Sequence, residues 1–247
     1  MSAPIKIAVA GSGGKMGRAV VEAVQGDKAF ALASSFDVGD DAAKAIAAGD
    51  VLVDFTRPEG TLAHLEHCLK AGKGMVIGTT GFSDSQKKTL AEAARRIPIV
   101  LSPNFAIGVN AVFKLAETAA GILGEGFDVE IIEAHHRHKV DAPSGTALRL
   151  GELIAGKLKR DLKKDAKHGR EGDTGARPDR QIGFHAIRGG DIVGEHTVVF
   201  AGTGERVEVT VRSQSRATYA MGALRAAKFL AGKRTGLYDM ADVLGLK

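Results

Sequence analysis

Ile5-Lys6-Ile7-Ala8-Val9-Ala10-Gly11-Ser12-Gly13-Gly14-Lys15-Met16-Gly17 is an apolar run that breaks into glycines and passes into a helical pattern over Met16 to Val24. A backbone bared by glycines can approach a pyrophosphate closely. The following helix adds orphan N–H donors and the positive end of its dipole. Gly11, Gly14 and Gly17 fall at a spacing of three, and Met at position 16 breaks the G-x-G-x-x-G pattern. The loop therefore predicts a phosphate turn, with a purely structural glycine turn as the alternative.

Outward from this segment the same rhythm repeats. Phe30 to Ser34, Val51 to Phe55, Met75 to Ile77 and Ile97 to Leu101 read as strands. Between them, Thr61 to Lys70 and Ser83 to Arg95 carry apolar residues at helical spacing. Alternating βα units predict a parallel sheet with helices on its faces. Asp37 lies 20 residues beyond Gly17 (37 − 17), at the end of the second strand, where a carboxylate can accept from the adenosine ribose hydroxyls. An Asx turn into Gly39 is the structural alternative. A carboxylate there is expected to favour NADH over NADPH. Three more strands end in polar clusters: Phe55-Thr56-Arg57-Pro58, Gly78-Thr79-Thr80-Gly81 and Ser102-Pro103-Asn104-Phe105. In an open α/β sheet the carboxyl ends of the strands border the ligand crevice.

Composition narrows the function classes. The chain has 247 residues, 44% hydrophobic and 26% charged, which suits a globular protein of two modest domains. The net charge of +5 suits an acidic ligand, but Lys and Arg are interleaved with Asp and Glu, and aromatics make up 5% with no Trp. That leaves little for base stacking, so nucleic acid is not expected as a partner. The single cysteine, Cys68, sits in a helical pattern and excludes an intramolecular disulfide. With neither a signal segment nor a membrane-length apolar run evident, a cytoplasmic protein with no membrane partner is expected.

The second half changes rhythm. A helical stretch near Val109 to Leu123 leads to a strand, Asp128-Val129-Glu130-Ile131-Ile132, and then to Glu133-Ala134-His135-His136-Arg137-His138-Lys139-Val140-Asp141-Ala142-Pro143-Ser144-Gly145-Thr146-Ala147. Five potential cations, His135 to Lys139, precede what reads as a helix whose first turn is Pro143 to Ala147. Imidazoles can change charge near neutral pH, and neighbouring cations with burial would make the Lys139 amine a usable acid. A helix start binds carboxylate or phosphate. His135 and His138 lack the i, i+4 spacing of zincins and no cysteine is near, so no metal site is expected. A solvated basic loop is the bland alternative. Lys159 to Arg180 reads as a long polar loop. Ile182 to Arg188, Ile192 to Ala201 and Val207 to Arg212 read as antiparallel strands joined by glycine turns, and a closing helix spans Ala217 to Leu230.

Assembled, the segments VAGSGGKMGR, DFTRPEGTL, GTTGF, SPNFAIGVN, EAHHRHKVDAPSGTA, FHAIRGGDIVGEHTV and GLYDMADVLGL resemble the 4-hydroxy-tetrahydrodipicolinate (dihydrodipicolinate) reductases of the bacterial and plant lysine pathway. The resemblance covers essentially the whole chain. It implies an α/β fold: a Rossmann-like parallel-sheet dinucleotide-binding domain from residues 1–106 and 217–247, and an α+β substrate-binding and oligomerisation domain with a mixed sheet from 107–216. It also implies NADH or NADPH as cofactor, a small cyclic dicarboxylate as substrate and a homotetramer. On the family pattern His135 and Lys139 fall on catalytic positions, with Lys139 the proton donor. His136, Gly145 and Thr146 fall on substrate-contacting positions. Gly11, Ser12, Gly13, Gly14, Lys15, Met16, Asp37, Gly78, Thr79, Thr80, Ser102, Pro103, Asn104, Phe105 and Arg216 fall on cofactor positions. Thirteen residues lie between Asp37 and Val51 (50 − 37), a shorter crossover than in many relatives. Two other function classes remain open from the residues alone. One is a metal-dependent hydrolase built on the histidines, which chelators would inactivate. The other is an NAD(H)-binding regulator, which would bind without turnover.

Overall fold

The computed structural model describes residues 3–247. They divide into two compact units, one of residues up to Ile107 together with Arg216–Lys247, the other Gly108–Ser215. Ile107 and Arg216 thus fall in the first unit rather than the second.

The first unit begins with β1 (Ile5–Ala10), α1 (Lys15–Gly26), β2 (Phe30–Phe36), α2 (Ala42–Ala48), β3 (Val51–Asp54), α3 (Pro58–Ala71), β4 (Gly74–Ile77), α4 (Asp84–Ala93) and β5 (Pro98–Leu101). The short crossover after Asp37 thus holds α2, whose N-cap Asp41 accepts from the Lys44 amide at 3.0 Å. Only Ile46 of α2 is buried, so the helix leaves almost no apolar period in the sequence.

The second unit follows, with α5 (Ile107–Leu123), β6 (Asp128–His135), α6 (Gly145–Lys157), α7 (Leu162–Asp165), β7 (Ala166–His168), β8 (Ile182–Arg188), β9 (Gly194–Ala201) and β10 (Arg206–Ser213). Its strand order is β10-β9-β6-β8-β7, a mixed sheet. The expected hairpin of β8 with β9 does not form. β6 lies between them, parallel to β8 and antiparallel to β9. Its apolar core residues Val129 and Ile131 are fully buried, and a strand so enclosed needs partners on both edges. The Lys159–Arg180 segment is likewise not a plain loop. It holds α7 and β7, and Arg177 ties it to the sheet through Glu130 Oε1 (2.9 Å), Asp128 Oδ1 (2.7 Å) and the Val129 carbonyl (3.0 Å).

Ile107–Gly126, which is α5 with the turn after it, is long and apolar enough to cross a membrane by length and composition, contrary to the sequence expectation. In the fold Val112, Ala116 and Ala120 pack with Val129, Ile131 and Val198 in the core of the second unit.

The chain then returns to the first unit with α8 (Ala217–Leu230), β11 (Gly236–Tyr238) and α9 (Met240–Leu244). The completed sheet has the order β11-β5-β4-β3-β1-β2, every pair parallel. Alternate residues face opposite layers. Ile7, Val9, Val53 and Val76 pack with α8 residues Ala223 and Leu230, while Leu52, Met75 and Ile77 pack with Ile46, Leu65 and Leu90. Burying each large aliphatic side chain stabilises the unit by roughly 1.5–3 kcal/mol. The result is a doubly wound, Rossmann-like unit whose strand order reverses between β1 and β3.

Candidate functional site

In the first unit the loop after β1 is shaped by two glycines. Gly11 has φ +66°, which suits glycine, and a Cβ there would stand 2.9 Å from Thr56 Cγ2. A Cβ on Gly17, already inside α1, would collide with the Gly11 carbonyl, so this glycine lets helix and loop pack closely. α1 begins at Lys15 with Gly14 as an N-cap that makes no side-chain bond, leaving its first amides to a ligand. Asp37 closes the loop: its Oδ2 accepts from Ser12 Oγ (2.9 Å) and the Gly13 amide (2.8 Å). It also heads a turn in which the Asp40 amide donates to its carbonyl at 3.2 Å. The turn is thus closed by the backbone rather than by an Asx bond, and the Asp37 carboxylate is engaged by the glycine loop.

A cleft of about 450 Å³ opens at the strand-order reversal, lined by Gly11, Gly14, Asp37, Val38, Phe55, Thr56, Arg57 and His64 among others. Glycines, an acidic side chain, an arginine and apolar walls fit a dinucleotide end. Under the cleft lies a network that the sequence reading missed. Fully buried Asp54 accepts from His64 Nδ1 (2.8 Å), and from the Thr56 amide and hydroxyl (2.8 and 2.6 Å). Thr79 joins it, accepting from Thr61 Oγ1 at 2.8 Å. An acid ending an otherwise apolar strand was the available signal.

Other expected cofactor residues divide by exposure. Gly78 and Thr80 follow β4, Thr80 exposed and Thr79 buried. Ser102 is buried and donates to the Asn104 carbonyl at 2.9 Å, Pro103 is exposed, and Phe105 is 1% exposed with its ring 5.5 Å from Phe55. Phe105 thus anchors the core behind the strand ends. Lys15 is exposed, Met16 half-buried, and Arg216 caps α8.

In the second unit the core face of the sheet ends in a polar cluster. Glu133 and His135 alternate along β6, so both point to the same side as Arg188 on β8 and His196 on β9. Glu133 is 1% exposed. Its carboxylate accepts from His135 Nδ1 (2.5 Å), both terminal nitrogens of Arg188 (2.7 Å each) and the Ser144 amide (3.1 Å). Burial alone would raise this carboxyl, but the Arg188 and His135 hydrogen bonds and charges hold it below the ordinary carboxylate value. Burial lowers the His135 imidazole, partly opposed by Glu133. The His196 imidazole is pushed down to about 4, chiefly by burial and then by His135, whose ring stands edge-on at 5.1 Å.

Ser144, not Pro143, opens α6. Its hydroxyl accepts from the Ala147 amide (3.2 Å) and pairs with His196 Nε2 at 2.9 Å, so helical geometry starts at Gly145 and Pro143 stays outside. The helix end presents the Gly145 and Thr146 backbone, and the space where a Gly145 Cβ would stand is open within 4 Å. Lys139 departs from expectation. Its Nζ donates to both oxygens of Asp141 at 2.8 and 2.9 Å, so its nearest partner is a carboxylate and not a crowd of cations. That ammonium lowers the Asp141 carboxyl. Arg188 also donates to the Asp141 carbonyl at 2.7 Å, joining this loop to the Glu133 network. His136 Nδ1 is buried with no hydrogen-bond partner among the described residues, which suits a ligand atom. Among the described residues no group of three or more His, Cys, Asp or Glu is placed to hold a metal.

Two family models match the chain, dihydrodipicolinate reductase N-terminus over residues 5–105 and dihydrodipicolinate reductase C-terminus over residues 108–244. The chain is 57% identical to the 4-hydroxy-tetrahydrodipicolinate reductase of Aromatoleum aromaticum, covering 99% of this chain and 96% of that one. It is 54% identical to the enzyme of the same description from Dechloromonas aromatica, covering 98% of both. Among solved structures it is similar to a dipicolinate-bound dihydrodipicolinate reductase from Paenisporosarcina sp. TG-14, with TM-score 0.79 and 28% identity over 97% of this chain and 99% of that one.

Proposed function

The chain belongs to the dihydrodipicolinate reductase family, and on that premise we propose that it reduces 4-hydroxy-tetrahydrodipicolinate to tetrahydrodipicolinate in diaminopimelate and lysine biosynthesis, using NADH or NADPH. The observation that carries this reading is a single hydrogen-bonded network holding the His135 ring, the Lys139–Asp141 loop and the start of α6. A proton donor, an imidazole and an anion-binding helix end are what a cyclic dicarboxylate with a reducible ring requires.

The nicotinamide cofactor, when bound, supplies the hydride. In the first unit the loop Gly11 to Met16 and the start of α1 bind the pyrophosphate, and Asp37 accepts from the adenosine ribose. Gly78 to Thr80 and Ser102 to Phe105 border the rest of the cofactor at the ends of β4 and β5, with Arg216 at the head of α8. In the second unit the Gly145 and Thr146 amides bind a substrate carboxylate, and His136 contributes its buried nitrogen. With the substrate's 4-hydroxyl lost as water, the conjugated ring takes the hydride at C4. Lys139 leaves Asp141 and gives its proton to the adjacent ring carbon that gains the electron density, while His135 orients the substrate and shares the charge.

Assembly as a homotetramer in the cytoplasm belongs to the same proposal. The assembly is supported by the sheet face opposite α5 and α6, which turns Ile132, Val199 and the exposed Ile187 outward. Light scattering of the purified chain tests it. The activity is tested by following nicotinamide oxidation spectrophotometrically with freshly generated 4-hydroxy-tetrahydrodipicolinate, once with each cofactor. Absence of turnover with both sinks the proposal.

A further inference from the structure

A single buried carboxylate joins an imidazole, a guanidinium and a helix start in the second unit. Glu133 Oε2 faces His135 Nδ1 and Arg188, and Oε1 faces Arg188 and the Ser144 amide. With an arginine fork and a backbone N–H already donating to it, this carboxylate is ionised and can only accept. Nδ1 of His135 must then carry the hydrogen, which leaves Nε2 with its lone pair. The Nε2 edge is kept clear by the backbone beside it: a Cβ on Gly194 would stand 3.1 Å from Nε2 and 3.4 Å from Cδ2.

We infer that Glu133 is a positioning residue: it fixes His135 as the Nδ1–H tautomer, so that Nε2 is presented as an acceptor, and it anchors the carboxylate-binding turn through the Ser144 amide. Arg188 completes the device by neutralising Glu133 and holding the Asp141 carbonyl, so the imidazole and the Lys139 loop are referred to one fixed point. The inference rests on the proposed role of His135 toward substrate. A buried ion pair that served stability alone would need neither the imidazole on one oxygen nor the helix start on the other. The charged and titratable groups around the imidazole are Glu133 on its own strand, Arg188 on β8, His196 on β9 and Lys139 from the loop. Of these only Glu133 is an anion, so it alone favours the charged ring.

The test is the Glu133→Gln variant of the full chain. The glutamine oxygen can still accept from Arg188 or Ser144, but its NH2 toward His135 donates, which reverses the tautomer. Histidine nitrogen NMR on labelled protein, with the His135 signals assigned by their loss in His135→Asn, should show Nδ1–H in the wild type and Nε2–H in Glu133→Gln. Turnover should fall between about 10- and 10⁴-fold, the range for lost support of a metal-bound or catalytic histidine. Cofactor Kd should stay within about twofold, and substrate KM should change far less than kcat. Glu133→Asp, which keeps the charge, should retain Nδ1–H and recover part of kcat.

A wild-type ring protonated only at Nε2 overturns the inference, as does Glu133→Gln with wild-type kcat. Equal loss of kcat, substrate KM and cofactor binding with an unchanged tautomer also overturns it, by showing a purely structural role. If Glu133→Gln does not fold, the wild-type spectrum decides alone. A wild-type protein with Nδ1–H but no reductase turnover would sink the proposed function while leaving this tautomer assignment standing.

Discussion

Lys139 and Asp141 form a two-point ion pair within one loop, Nζ lying 2.8 Å and 2.9 Å from the two carboxylate oxygens. The lysine side chain is 20% exposed and the aspartate 56%, so the pair sits at the rim of the cluster. Removing the charge in Asp141→Asn leaves the Asp141 carbonyl bond to Arg188 in place but makes the loop more cationic toward a dianionic substrate. Substrate KM should fall by roughly two- to fivefold, the factor that about 0.5–1 kcal/mol of an exposed pair represents. The difference should shrink as salt is raised. A KM that is unchanged at every ionic strength would show that Asp141 plays no part in substrate attraction.

Lys139→Ala should lower turnover by roughly two to four orders of magnitude, as expected for loss of a positioned general acid, with cofactor Kd unchanged. His135→Ala should also lower it. The double variant should lose much less than the product of the two effects, because both residues serve one transition state. Normal turnover of Lys139→Ala together with inactivation by chelators would replace the reductase mechanism with a metal-dependent one.

Asp37→Asn should raise the ratio of kcat/KM with NADPH to that with NADH, since the variant removes a negative charge that repels a 2′-phosphate. Asp37 Oδ2 also holds Ser12 and Gly13, so absolute kcat/KM with both cofactors should drop as the loop loosens. Steady-state kinetics with the two cofactors measure this. A lower absolute rate with an unchanged ratio would make Asp37 a loop clamp and nothing more.

Much of this architecture was legible because it is periodic. β1, β3, β4 and β5 are short apolar runs, and the polar residues after them mark strand ends in a parallel sheet. What escaped is non-local. Glu133 and Arg188 stand 55 residues apart, Ser144 and His196 stand 52 apart, and both contacts depend on β6 lying between β8 and β9. No local pattern encodes that order, and two strands joined by a glycine turn read as a hairpin instead. Glu133 itself could have been found, since it precedes His135 by two in an apolar strand and so must share its face. The start of α6 was misplaced because proline marks a first turn as readily as the residue before a cap. Ser144 settles it through its bonds to Ala147 and His196.

Acid stability should report the Glu130 network. Burial would raise this carboxyl, but hydrogen bonds from Arg170, Arg177 and His185 bring it from 4.5 to about 2. A carboxylate with a depressed folded pKa contributes its stability above the unfolded value, and that contribution is lost as pH falls from about 4.5 toward 2. His196 acts in a higher window, its lowered value making stability decline from 6.5 toward about 4. Glu130→Gln should therefore lower Tm at neutral pH by about 2–8 °C, what a loss of roughly 1–2 kcal/mol produces at this chain length. The gap from wild type should narrow specifically below about pH 4.5. A constant gap from neutral pH to pH 2 would mean that the network's contribution does not depend on the ionised carboxylate.

Gly145→Val probes the anion-binding turn with little cost to the fold. No atom lies within 4 Å of where its Cβ would stand, and the backbone there is not among the positive-φ glycines, so valine fits the first helical position without collision. Valine ranks slightly above glycine in helix propensity, by no more than a few tenths of a kcal/mol, so Tm should move by no more than about 2 °C. The same open space is where a substrate carboxylate would meet the Gly145 and Thr146 amides, and the branched side chain would hold it off. Substrate KM should rise by about 10- to 150-fold, matching the roughly 1.5–3 kcal/mol of a hydrogen bond to a charged group. Cofactor Kd, set by the other unit, should stay at the wild-type value. Measuring both constants with Tm separates the outcomes: a large KM increase with the other two unchanged places the carboxylate at this turn, whereas an unaltered KM removes Gly145 from the substrate site.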